Sequence, residues 1–222
     1  MRLVLLGLVL LFCIGVTIVA VGVLRGGAPD APVEASIGDA QFSYPAALAR
    51  DEETAAGGLS DRLAFVATFP DFGPRPPTNV LAKSKTHAPE LVLVTIAPKD
   101  EAIDPADRPA RLYARFLEAE TQEGPGGLVL RHFEKDSPYD LEQLYVTGPD
   151  GGAFFARCPK PQDPKPQQAN GEAEEPCLFL FRDGALDVEL RFKPTLLEQW
   201  ETLNDGARAF VERLRARPAK EK

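Results

Sequence analysis

The chain is poor in the residues that chemistry most often uses. It has one Met, one Trp, two His and three Cys in 222 residues. A metal site needs several His, Cys or carboxylate groups converging on one point, and His87 and His132 are isolated from each other and from the cysteines. Nucleophilic catalysis needs an activated Ser or Cys beside a base. No serine stands in a G-x-S-x-G turn, and Ser84 shares a single proline-rich stretch with His87. There is neither a phosphate-binding G-x-x-x-x-G-K-[ST] loop nor a dinucleotide glycine fingerprint. The residues therefore name no catalytic, cofactor-binding or metal-binding site. Basic charge is also in deficit: the formal net charge is −8, and a nucleic-acid binder is ordinarily basic, so that role is disfavoured.

What is present begins at the N-terminus. Residues 3–24 carry no charge. A helix of that length rises about 33 Å, enough to cross a hydrocarbon layer of about 30 Å. The rival reading is a cleaved signal peptide, whose apolar core is shorter, about 7–15 residues, and ends at a small-x-small site. Ala28-Pro29-Asp30-Ala31 makes a poor site because proline crowds the scissile bond. The expectation is an uncleaved single-pass anchor over residues 1–25. Arg2 and the amino terminus face the acidic residues Asp30, Glu34 and Asp39 beyond Arg25, and positive charge stays inside. That orientation puts the N-terminus in the cytoplasm of a bacterial inner membrane and the rest of the chain in the periplasm or an equivalent compartment. A small-residue and proline linker is expected over 26–36, a folded domain over 37–217 and a short tail over 218–222.

Outside the anchor only Cys158 and Cys177 remain. Strand-like runs end at the first and begin at the second, and residues 159–176 between them are rich in Pro, Gln and Glu. Such a composition cannot build a core, so 159–176 reads as a disordered insertion at the mouth of a hairpin. In an oxidising compartment the two thiols are expected to form a disulfide. The other reading is a pair of free thiols in adjacent strands.

Periodicity supplies the elements. Strands are expected near 37–44, 62–69, 90–97, 128–134, 141–147, 153–158, 177–182 and 186–193. The last alternates most cleanly, with Leu186, Val188, Leu190 and Phe192 on one face and Asp187, Glu189, Arg191 and Lys193 on the other. A helix is expected from Asp104, with Pro105 at its first position and Tyr113, Phe116 and Leu117 as its apolar stripe. Glu118 and Glu120 are then surface helix residues. A second helix closes the chain, with Thr195 and Glu198 spaced as a capping box. Leu196, Trp200, Leu203, Ala207, Val211 and Leu214 lie along one face. The fold class expected is α+β: the membrane helix, then an antiparallel sheet packed by two helices.

Taken together, F-S-Y-P at Phe42–Pro45, L-Y-A-R-F-L at 112–117, the meander and a closing helix with Trp200 and Phe210 resemble the PsbP-like α/β/α sandwich. The resemblance covers residues 37–215. The chain departs from that pattern in having no tryptophan after F-S-Y-P and in the 159–176 insertion. The resemblance implies a small accessory subunit of a membrane complex and carries no site residues with it. The residues add one feature of their own. The proline-rich stretch 70–89 is locally basic and holds Phe72, Arg75, Lys83 and Lys85; it reads as a candidate partner-binding loop or as a solvated crossover between sheet strands. The function expected is a membrane-anchored extracytoplasmic accessory protein of an envelope complex. The alternative is a small-ligand binder or hydrolase whose pocket no motif announces.

Overall fold

The computed structural model describes residues 32–76, 89–148, 153–161 and 175–216. Strands β1 (Val33–Ile37) and β2 (Ala40–Tyr44) form a hairpin about Gly38, and β1 also pairs in parallel with the two-residue β3 (Gly58–Leu59). The first strand thus begins inside the stretch read as linker. Between β2 and β3 lies a one-turn helix, α1 (Glu52–Ala56), where Asp51 caps the Thr54 amide at 2.9 Å.

The remaining strands make one eight-stranded sheet. They are β4 (Leu63–Thr68), β5 (Leu91–Pro98), β6 (Leu117–Glu123), β7 (Val129–Phe133), β8 (Glu142–Val146), β9 (Phe155–Pro159), β10 (Cys177–Asp183) and β11 (Leu186–Phe192). Their spatial order is β4-β5-β11-β10-β9-β8-β7-β6, and every pair is antiparallel. From β5 the chain crosses to the far edge and then returns strand by strand until β11 lies beside β5. Strand alternation sends one set of side chains to a principal core: Phe65, Val94, Leu190, Phe179 and Ala156 all face it and are buried. The long helix α2 (Trp200–Leu214) covers that face with Leu203, Ala207, Phe210, Val211 and Leu214. The β1–β2 hairpin completes the cover with Ile37, Phe42 and Tyr44.

The fold class expected from sequence is corrected here. The described chain is mostly antiparallel sheet with one long helix, at its C-terminal end, and not a sheet packed by two helices. The expected helix from Asp104 breaks into a 3-10 turn (Pro105–Asp107), a π turn (Pro109–Tyr113) and another 3-10 turn (Ala114–Phe116). Pro109 explains the break. In an α-helix its amide would donate to Pro105 four residues earlier, and proline has no N–H to give. Arg108 donates to Pro105 instead, closing the tighter turn. Leu117, Glu118 and Glu120 belong to strand β6, not to a helix. The capping box also fails: Gln199 stands at the N-cap without a side-chain bond, and Glu198 turns away to accept the Gly126 amide at 3.1 Å. Among the described residues no helix is long and apolar enough to cross a membrane. The anchor expected over 1–25 and the tail at 218–222 lie outside the described residues, as does the interior of the 159–176 insertion.

The broken segment still covers apolar surface. Tyr113 packs on the second face of the sheet with Phe133, Leu144, Val146 and Phe155. A bidentate Arg182–Asp187 pair, at 2.7 and 3.0 Å, ties down the chain leading into it, because Arg182 also donates to the Asp100 carbonyl at 2.7 Å.

Burial of Tyr44 has a consequence for alkaline stability. Its ring is fully buried and its hydroxyl donates to the Thr54 carbonyl at 2.8 Å. Burial, with the negative charge of Asp51 adding to it, pushes the hydroxyl from 10.0 up to about 12. A raised folded-state value favours the protonated form, so the stabilisation is complete below pH 10 and is lost as pH rises through about 12. Tyr44→Phe is expected to flatten the fall in melting temperature across that window. A thermal melt series from pH 9 upward checks it, and identical slopes for the two proteins would refute the assignment.

Candidate functional site

The residues singled out in the sequence are not brought together. Cys158 and Cys177 are bonded to each other, with their Cα atoms 4.1 Å apart. They face each other directly across β9 and β10, since Leu178 pairs with Arg157. Both are buried, and the bond closes the hairpin from the core side. The basic loop divides. Arg75 is exposed, and Lys83 and Lys85 lie outside the described residues, as do Ser84 and His87. Phe72 is only 1% exposed. Its ring packs between Phe69, at 6.5 Å between centroids, and Phe210, at 5.8 Å. It is a core residue and offers no side chain to a partner.

A different region gathers unspent chemistry: the second face of the sheet and the edge beside it. Arg157 on β9 lies over the rings of Tyr113 and Tyr139, at 5.4 and 5.1 Å, and pairs with Glu142 at 2.8 Å. Burial pushes the Tyr113 hydroxyl above its ordinary value, with the charges of Arg157 and Arg108 opposing. Next to this cluster a cleft of about 180 Å³ opens between the 109–117 segment and the sheet. The segment lines it with Pro109, Ala110 and Ala114, and the sheet with Leu144 and Val146. Arg131 is its one charged wall. The Nη2 of Arg131 donates to the Glu118 carbonyl at 3.0 Å, while its buried Nε finds no partner among the described residues. Among the described residues no three His, Cys, Asp or Glu side chains gather as a metal site would require.

Strand β6 leaves this cleft as the outermost strand of the sheet. Residues 118–123 are all exposed, and the ladder with β7 is shifted between Leu117 and Thr121. The opposite edge is closed. On β4, Arg50 donates to the Ala64 carbonyl and the Ala64 amide donates to Thr54 Oγ1, both at 2.9 Å, and the Thr68 amide donates to the Gly73 carbonyl at 2.9 Å. One edge of the sheet is sealed by its own chain, and the other has no pairing strand among the described residues.

The chain is similar in fold to a bacterial immunity protein. That structure is Smlt3025, an immunity protein of the Stenotrophomonas maltophilia type IV secretion system. It shares 17% identity at a TM-score of 0.58, over 85% of this chain and 94% of that one. A second solved structure, the iron-regulated outer membrane lipoprotein FrpD of Neisseria meningitidis, aligns over 83% of this chain and 94% of its own, with 10% identity and a TM-score of 0.45. No protein-family model matches the chain, and no curated protein matches it. Neither structure bears on the PsbP-like resemblance.

Sequence reasoning missed β6. Its residues, L-E-A-E-T-Q-E, show no apolar alternation, because an edge strand exposed on both faces has no core side to mark. The available signal was Gly124-Pro125-Gly126-Gly127, a turn that can join two strands as readily as end a helix.

Proposed function

We propose that this protein is an extracytoplasmic accessory protein of a bacterial envelope, acting by holding a protein partner. The observation that carries the reading is the asymmetry of the sheet among the described residues: sealed along β4, and without a pairing strand along β6, next to a cleft where an arginine nitrogen has no partner. An exposed edge is a template for pairing with another chain; the charges and the register shift of β6 guard it against indiscriminate pairing and leave its backbone groups open to a complementary strand. The buried cross-strand disulfide supports an oxidising compartment, and the uncharged run 3–24 supplies a route of export. The fold shared with an immunity protein of a secretion system agrees with a binding role, although fold alone does not assign one. The alternative of a small-ligand binder or hydrolase calls for a cavity ringed by several polar side chains. The cleft offers one, Arg131, against a lining that is otherwise apolar.

The test is purification of the full-length chain from solubilised membranes at native abundance. A partner in one-to-one ratio is expected, together with Cys158 and Cys177 that resist alkylation until reductant is added. A lone monomer, or thiols that label freely in intact cells, would overturn the proposal.

A further inference from the structure

The hydrogen bonds of the β6–β7 hairpin define what its bare edge offers. The Gly124 amide donates to the Leu128 carbonyl at 2.7 Å across the turn. In an antiparallel pair, bonded and non-bonded positions alternate. Gln122, opposite Leu130, therefore turns its backbone toward β7, while Thr121 and Glu123, opposite Arg131 and Val129, turn theirs outward. The Glu118 carbonyl is already taken by Arg131, so the open stretch is 119–123. Its charged side chains, Glu120 and Glu123, and that of Glu118 beside it are all acidic. Glu118, Glu120 and Glu123 are exposed, and none forms an ion pair or hydrogen bond through its carboxylate among the described residues. Two copies meeting edge to edge would set like charges beside each other, which is unfavourable. The same carboxylates complement a strand of opposite sign.

Resting on the binding role proposed above, we infer that the edge of β6 takes up an extended segment of another protein, rich in Lys or Arg, which adds to the sheet as a further strand. Backbone bonds to Thr121 and Glu123 give the register, and the carboxylates of Glu118, Glu120 and Glu123 select the charge. The partner is thus defined chemically, as a basic strand or an unfolded basic segment able to become one. The β6 edge of a second copy does not fit that description.

The probe is a short synthetic peptide alternating lysine and valine, added to the full-length chain in detergent. Hydrogen exchange is expected to slow within 119–123 and nowhere on β4. Thr121→Pro removes an outward-facing amide without touching the ladder to β7, and is expected to weaken the peptide by roughly tenfold, the worth of about one hydrogen bond. Reversing Glu118, Glu120 and Glu123 to lysine is expected to abolish binding of this peptide and to admit one alternating glutamate and valine. The charge-reversed protein keeps the proposal testable if the proline variant does not fold. No protection at 119–123, or binding indifferent to both variants, would overturn it. A stoichiometric native partner recovered alongside that negative result leaves the binding role standing and removes this mode alone.

Discussion

Phe72→Ala is expected to lower the unfolding free energy by about 3–5 kcal/mol, the range for emptying a large aromatic site in a close-packed core. Four observations make this position costly. Its ring is buried between Phe69 and Phe210. Its carbonyl accepts from Arg213 Nη2 at 3.0 Å, so the loop and α2 are tied at one residue. Its φ of 50° lies in the left-handed region, where a bulky side chain is strained and persists only when packing holds it there. Finally, Gly206 of α2 lies flat against the ring: a Cβ added there would come within 2.5 Å of it. Glycine inside a helix ordinarily costs about 1 kcal/mol relative to alanine. Here that preference reverses, and Gly206→Ala is expected to destabilise by about 1–3 kcal/mol through overpacking. Chemical denaturation of both variants checks the pair. A Gly206→Ala protein more stable than wild type would show that the ring is free to move aside.

Removing the Cys158–Cys177 bond is expected to cost about 3 kcal/mol. The two residues are 19 apart in sequence, and a loop of that order confers roughly 3 kcal/mol by limiting the unfolded chain. The loss is expected from the paired Cys158→Ser, Cys177→Ser variant and from reduction of the wild type alike. The single variants should fare worse in an oxidising compartment, where the remaining thiol can join the wrong partner. The fold itself should survive. The cysteines lie between β9 and β10, yet β10 is also held along seven register pairs to β11, and β9 along five to β8. Calorimetry with and without reductant reads the shift. An unchanged transition would mean that the bond constrains nothing the rest of the sheet does not already constrain.

The comparison of sequence with structure is most instructive at the places of disagreement. Strands β7 to β9, packed on both faces in part, were legible as short apolar runs bounded by turns. Strands β10 and β11 were legible because each has one buried and one less buried face, and alternation records that difference. Helix α2 was legible for the same reason at a different period, and its buried residues Leu203, Ala207, Val211 and Leu214 are those of the expected stripe. The segment from Asp104 misled because its capping residue, first-turn proline and aromatic stripe are all real, while one backbone amide missing at Pro109 breaks the helix they announce. Phe72 misled in the opposite direction. Its neighbours in sequence, Asp71 and Gly73-Pro74, describe an exposed turn, and nothing local records that Gly206 waits 134 positions later.

By itself the sequence determined the features that depend on near neighbours: an uncharged leader, the antiparallel runs, the terminal helix and a pair of cysteines at two facing strand ends. A residue's solvent exposure on a regular element repeats with that element's own period, so a short window contains it. Tertiary structure alone decided the crossing from β5 to β6, the sealing of the β4 edge, the exposure of β6 and the fate of Phe72. Each of these rests on groups brought together from distant parts of the chain, where the free energy comes from excluding water between surfaces and no local period carries the record.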